Sequence, residues 1–157
     1  GNETITALSD ADWVGDVADK RSTSSAVVLY CGSPFSWFTR KQTLVSESST
    51  EAEFVAAAET TKDALWAQPI HAKITGRTAP ITLCLDNKSA IDTILNPEHH
   101  GWTKHIDICK KCAVRNQVHH YGIDVKDIGT AEMTADINTK ALGGSKLEQH
   151  CKAFGLE

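Results

Sequence analysis

From Thr4 to Asp10 the residues Thr-Ile-Thr-Ala-Leu-Ser-Asp alternate loosely between polar and apolar, which predicts a first β-strand running into a polar end at Asp10 to Trp13. A turn-rich connection, GDVADKRSTS, follows. Ser25 to Gly32 and Phe35 to Gln42 are rich in β-branched and aromatic residues, with Ser33-Pro34 between them, and predict two further strands in an antiparallel meander. At Ser48 the composition changes to helix formers and runs to Gln68 without glycine or proline, predicting a long helix that stops before Pro69. Ile81 to Asp86 is an almost unbroken apolar run of strand length, as in a central strand buried on both faces. Asn87 to Asn96 reads as a short helix closed by Pro97, and His105 to about Val118 as another after the loop PEHHGWTK. Tyr121 to Gly129 predicts a fifth strand, and Met133 to Leu142 opens a last helix that Gly143-Gly144 interrupts.

The element order predicts an α/β fold with a five-stranded mixed sheet, three antiparallel strands and then two parallel ones, flanked by helices. Trp37 and Trp66 are expected in the core, and Trp102 in the middle loop. The length of 157 residues fits one domain over residues 1–157, and an opening GNET without methionine suggests a fragment of a longer chain. Five scattered cysteines, no signal sequence and no apolar run of membrane-spanning length point to an intracellular, reducing setting. A formal net charge of −4 offers no long-range attraction for a polyanion. Contact with nucleic acid would then need a local basic patch, bound cations or a neighbouring domain.

Three aspartates fall where an element stops or starts: Asp10 after strand one, Asp86 after strand four and Asp136 at the entry to the last helix. Strand ends at one rim of an open α/β sheet are where such folds gather ligands. Carboxylates collected there repel one another unless a cation lies between them, and hard oxygen donors suit Mg²⁺ or Mn²⁺. Acids at strand ends and helix starts also serve as caps and solvated ends, so no single aspartate is diagnostic.

The segment Ser48-Ser49-Thr50-Glu51-Ala52-Glu53-Phe54 offers a fourth acid from either of two glutamates. At 100° per residue these lie about 200° apart, so they cannot share one site. Ser48 and Glu51 have the spacing of a capping box, which would give Glu51 a structural task. Glu53 shares its face with the small residues Ala56, Ala57, Thr60 and Ala64, whereas Phe54, Ala58 and Leu65 form a larger apolar face that includes Glu51. The periodicity alone leaves both glutamates in play.

Taken in order, SDADWVGDVADKRSTSS, SSTEAEFVAAAE, LDNKSAI, TKHIDI and TADINTKAL resemble the ribonuclease H domain that follows the reverse transcriptase in copia-type LTR-retrotransposon polyproteins. The resemblance spans about residues 7 to 142. It implies the ribonuclease H-like fold and a two-Mg²⁺ endonuclease, with Mn²⁺ able to substitute, that hydrolyses the RNA strand of RNA/DNA hybrids during reverse transcription. Water attacks the scissile phosphate directly, leaving a 3′-hydroxyl and a 5′-phosphate without a covalent enzyme intermediate. Matched position by position, the catalytic and metal-binding acids are Asp10, Glu53, Asp86 and Asp136, so the resemblance selects Glu53 over Glu51. Ser48, Ser49 and Asn87 are candidates for contacting 2′-hydroxyls. The implied partners are an RNA/DNA hybrid and the adjoining reverse transcriptase, with no membrane, and the implied location is cytoplasmic, including virus-like particles.

Three departures from the family pattern favour an alternative, a decayed or domesticated domain that binds nucleic acid or protein without catalysis. The loop PEHHGWTK holds a single lysine where stand-alone enzymes carry a basic protrusion, CKKCAV replaces an expected aromatic stretch, and Gly-Gly follows NTKAL. Cys109, Cys112, His119 and His120 raise a zinc reading, but the gap between Cys112 and His119 is too short for a finger and free thiols beside a helix are preferred. His99, His100 and His105 lie near the middle loop; the resemblance implies that a histidine near the metals could assist product release, and at least two of the three are expected to be plain surface residues.

Overall fold

A computed structural model describes residues 3–15, 19–96, 108–139 and 142–155, with the side chains of 108–113 outside the description. The meander is present as β1 (Ile5–Asp12), β2 (Thr23–Tyr30) and β3 (Ser33–Lys41), paired antiparallel. Then come α1 (Ser49–Thr75), β4 (Ile81–Leu85), α2 (Lys88–Leu95), α3 (Ile108–Tyr121) and β5 (Asp124–Asp127). A 3₁₀ turn (Thr134–Asn138) and α4 (Gly144–Ala153) complete the order. The sheet runs β3-β2-β1-β4-β5, with β4 parallel to β1 and β5 parallel to β4. This is the expected five-stranded mixed sheet.

Because successive residues of a strand face opposite ways, the central strands feed two cores. Ile5, Ala7, Val28, Leu83 and Leu85 point to the face where α1 places Phe54, Ala57, Ala58 and Ala64, and α2 and α3 add Ile91, Ile94, Val114 and Val118. Leu8, Val27 and Cys84, one residue out of step, pack on the other face against Met133 and Ala135 around the 3₁₀ turn. Each fully buried aliphatic or aromatic side chain contributes about 1.5–3 kcal/mol, which makes the interior rather than helix propensity the main support of α1.

Four expectations change. Helix α1 does not stop at Pro69 but continues to Thr75, where Gly76 closes it at φ +74° and donates its N–H to Ala72. Buried Ala67 and His71 on either side of Pro69 show why: packing carries the helix across the lost hydrogen bond. The last predicted helix is two elements, since Thr134–Asn138 forms only a 3₁₀ turn and α4 begins at the glycine pair instead of being interrupted by it. The fifth strand is shorter than Tyr121–Gly129, because Tyr121 still belongs to α3. Trp37 and Trp66 are not core residues: they stand 66% and 63% exposed, since β3 is the sheet edge and α1 turns Trp66 outward. The loop PEHHGWTK, with His99, His100 and Trp102, lies outside the described residues, as do His105 and the side chains of Cys109 and Cys112.

The start of α1 is a capping arrangement slightly different from the one its spacing predicts. Ser48 Oγ accepts from the Glu51 N–H at 3.2 Å, while Glu51 Oε2 accepts from the N–H of Glu47, not of Ser48, at 2.6 Å. Ser48→Ala is expected to lower stability by about 1 kcal/mol, read as a shifted urea midpoint with an unchanged slope. An unchanged midpoint would show that the cap contributes nothing.

Candidate active site

The parallel pairing of β1 and β4 aligns Leu8 with Cys84, and two residues further along lie Asp10, within β1, and Asp86, the residue that follows β4. Two residues is the period of a strand, so Asp10 lies on the face that Leu8 and Cys84 share with the 3₁₀ turn, and Asp86 follows at the end of β4. The third acid comes from α1. Ala11, Ala52 and Ala56 pack together, and the absence of larger side chains there lets the first turns of α1 lie close to the end of β1. At that closeness Glu53 Oε1 accepts the Ala11 N–H at 3.1 Å, which ties the glutamate to the residue after Asp10. Oxygens of Asp10, Glu53 and Asp86 then all lie within 4.8 Å of one another.

Asp10 and Glu53 are buried and Asp86 is half-buried, so the group has its opening on the Asp86 side. Unit charges this close repel by a few kcal/mol per pair at an effective dielectric of about 20. The donor set fits a divalent cation of the Mg²⁺ class: three carboxylates, hard oxygen donors, converge from three separate elements. Cys84, two residues before Asp86, supplies no competing soft ligand, because burial pushes its thiol pKa up and keeps it protonated.

Asp136 is not one of the three acids whose oxygens meet within 4.8 Å. It lies in the 3₁₀ turn, almost fully buried, and Oδ2 accepts from Lys146 Nζ of α4 at 2.8 Å. The turn is nevertheless tied to the trio, since the Thr139 hydroxyl donates to Asp10 Oδ2 and Ser25 Oγ of β2 donates to the Ala135 carbonyl at 3.0 Å. Among the 2′-hydroxyl candidates, Ser48 caps α1 and Asn87 Oδ1 caps α2 by accepting the Ala90 N–H at 3.0 Å, while Ser49 is exposed in the first turn of α1. Asp12 ends β1, with its carboxylate over Gly15, where any Cβ would collide with it. His119 and His120 are exposed on the last turn of α3.

Three positioning residues had no signal in the sequence. Gln42 is buried, donates from Nε2 to Ser24 Oγ at 3.0 Å and to the Ala52 carbonyl at 2.9 Å, and accepts the Ser46 hydroxyl at 2.9 Å. It thereby clamps the first turn of α1 to β2. Thr139 lies within the TADINTKAL motif, but nothing in the motif shows its bond to Asp10. Lys146 falls beyond the matched stretch altogether.

No protein-family model matches the chain. It is 33% identical over 152 residues, 97% of its length, to the retrovirus-related Pol polyprotein from transposon TNT 1-94 of Nicotiana tabacum, and covers 11% of that protein. With the Pol polyprotein from transposon RE1 of Arabidopsis thaliana it shares 34% identity over 154 residues, covering 98% of the chain and 10% of the relative. The chain thus spans about a tenth of the length of these relatives. Among solved structures, that of LC11-RNase H1 in complex with an RNA/DNA hybrid superposes with a TM-score of 0.59 at 12% identity, covering 85% of this chain and 92% of the other. The sequence matches and the shared architecture agree, and the chain belongs to the copia-type retrotransposon Pol polyproteins as their ribonuclease H-like region.

Proposed function

We propose that this domain is a two-metal endonuclease that hydrolyses the RNA strand of RNA/DNA hybrids during reverse transcription, leaving a 3′-hydroxyl and a 5′-phosphate. The observation that carries the reading is the convergence of Asp10, Glu53 and Asp86 from β1, α1 and the end of β4, in a fold shared with a ribonuclease H that binds such a hybrid. Two Mg²⁺ ions, or Mn²⁺, when bound would activate water and neutralise charge on the scissile phosphate.

The remaining work falls to the chain. Asp10, central and buried, is oriented by the Thr139 hydroxyl, and Glu53 by the Ala11 N–H. Asp86 meets solvent and would face the phosphate side, and Asp136 is the fourth acid once Lys146 leaves it. Ser48, Ser49 and Asn87 stand at the starts of α1 and α2, and their remaining polar groups would meet 2′-hydroxyls beside the cut. The adjoining reverse transcriptase would supply hybrid affinity that a net charge of −4 does not. The setting is cytoplasmic, including virus-like particles. Among the described residues no helix is long and apolar enough to cross a membrane.

One observation favours the second reading, a binding module without catalysis: the ion pair between Lys146 and Asp136 already neutralises the fourth acid. Calorimetric titration with Mg²⁺ and Mn²⁺ separates the two. The nuclease should take up two ions per chain, lose them with Asp86→Asn, and cut only the RNA strand of a labelled hybrid. A chain that binds no divalent ion and leaves the hybrid intact in both metals is a binding module.

A further inference from the structure

At the end of the sheet away from the acids, Ile5, Val28, Leu29, Phe35, Ala67 and Ile74 line a groove that is apolar almost throughout. Its margin leaves large side chains in water: Ile74 is 78% exposed, Trp66 63% and Phe35 44%. Trp66 and Phe35 stand near-parallel with ring centroids 6.4 Å apart, so β3 and α1 present one continuous apolar surface. Single exposed apolar residues need no explanation, but a contiguous cluster beside an apolar groove marks a contact surface.

The groove adjoins the point where the chain enters the domain. Ile5, the first residue of β1, is part of its wall, and Glu3 Oε2 lies 3.6 Å from Nε2 of His71, another wall residue. Glu3, the first of the described residues, therefore lies beside this surface. The related Pol polyproteins are about ten times longer than this chain. The opposite orientation of the acids matters too: Glu53 is in the first turns of α1 and Ile74 in its last, about 30 Å away at 1.5 Å per residue, so a partner on the groove leaves the acids open.

We infer that this groove is the seat of the Pol segment immediately upstream, an amphipathic stretch that lays its apolar side chains over Trp66, Phe35 and Ile74. The inference rests on the reading of the chain as the region that follows the reverse transcriptase. Covalent attachment raises the effective concentration of such a segment, so a modest patch holds it without a large interface.

The test is hydrogen exchange over residues 66–75, comparing this chain with the same chain extended upstream in its own polyprotein. Exchange there should slow about tenfold in the extended protein, because covered helix ends open less often. Ile74→Asp with Trp66→Asp should restore the faster exchange, and hybrid cleavage by the unextended chain should stay within twofold. Equal exchange in the two proteins overturns the inference. Slowing that grows with protein concentration in the unextended chain assigns the face to a second copy and also overturns it. Protection without hybrid cleavage supports the docking surface and removes only the nuclease reading.

Discussion

Asp10→Asn is expected to reduce cleavage of the RNA strand by at least about a thousandfold while the domain stays folded. Asp10 is 1% exposed, lies in the central strand, and has a carboxylate oxygen within 4.8 Å of those of both Glu53 and Asp86. Asparagine keeps the shape and leaves Oδ1 to accept the Thr139 hydroxyl, so the packing around β1 has no reason to change. It removes one of three negative charges that share a small space, which relieves repulsion in the metal-free protein. The urea midpoint should therefore hold or rise while divalent-ion affinity falls. Cleavage within tenfold of the unsubstituted protein would sink the assignment of Asp10. A matched metal titration keeps the result interpretable, because a lost heat of binding cannot be mistaken for unfolding when the midpoint is unmoved.

The pair Glu53→Gln and Glu51→Gln should part company by about two orders of magnitude or more in rate. Glutamine at position 53 retains an oxygen for the Ala11 N–H, so it stays in place and loses only its charge. Cleavage should fall a hundredfold or more with stability unchanged. At position 51 the carboxylate accepts the Glu47 N–H and lies in the first turn of α1, where a negative charge interacts favourably with the helix dipole. Its neutralisation should cost roughly 0.5–1 kcal/mol of stability and leave the rate within twofold. Equal activity losses from the two substitutions in a hybrid-cleavage assay would overturn the division of labour.

Glu51 and Glu53 also show how far the chain could be read in one dimension. The angle between them forbade a shared site, and the Ser48 spacing assigned Glu51 to the helix start. The structure bears out that assignment, with the reciprocal bond shifted from Ser48 to Glu47. Of the small-residue stripe, Ala56 packs with Ala52, which lies outside it, against Ala11 where α1 comes close to the sheet. The tryptophans misled for a complementary reason. Hydrophobicity favours burial but does not say which face of an edge strand or long helix will be covered, and Trp37 and Trp66 stand outside. Pro69 misled because propensity is local, whereas α1 is held by its packing on both sides of the proline.

By itself the sequence determined the order of strands and of helices as far as α3, the mixed sheet, and the acids Asp86 after β4 and Asp136 near the start of a turn, because side-chain period and turn residues act over a few neighbours; β1 runs on past Asp10 to Asp12. The copia-type motifs, which are also local strings, determined the family. Only the tertiary structure decided that Asp10, Glu53 and Asp86 meet within 4.8 Å, since that depends on the β1–β4 register and on how close α1 can lie. It alone paired Asp136 with Lys146, joined Thr139 to Asp10 and left Trp66 and Ile74 beside the groove at the chain entry. Partners such as Asp10 and Thr139, 129 residues apart along the chain, are brought together only by the folded backbone, and no local pattern records them.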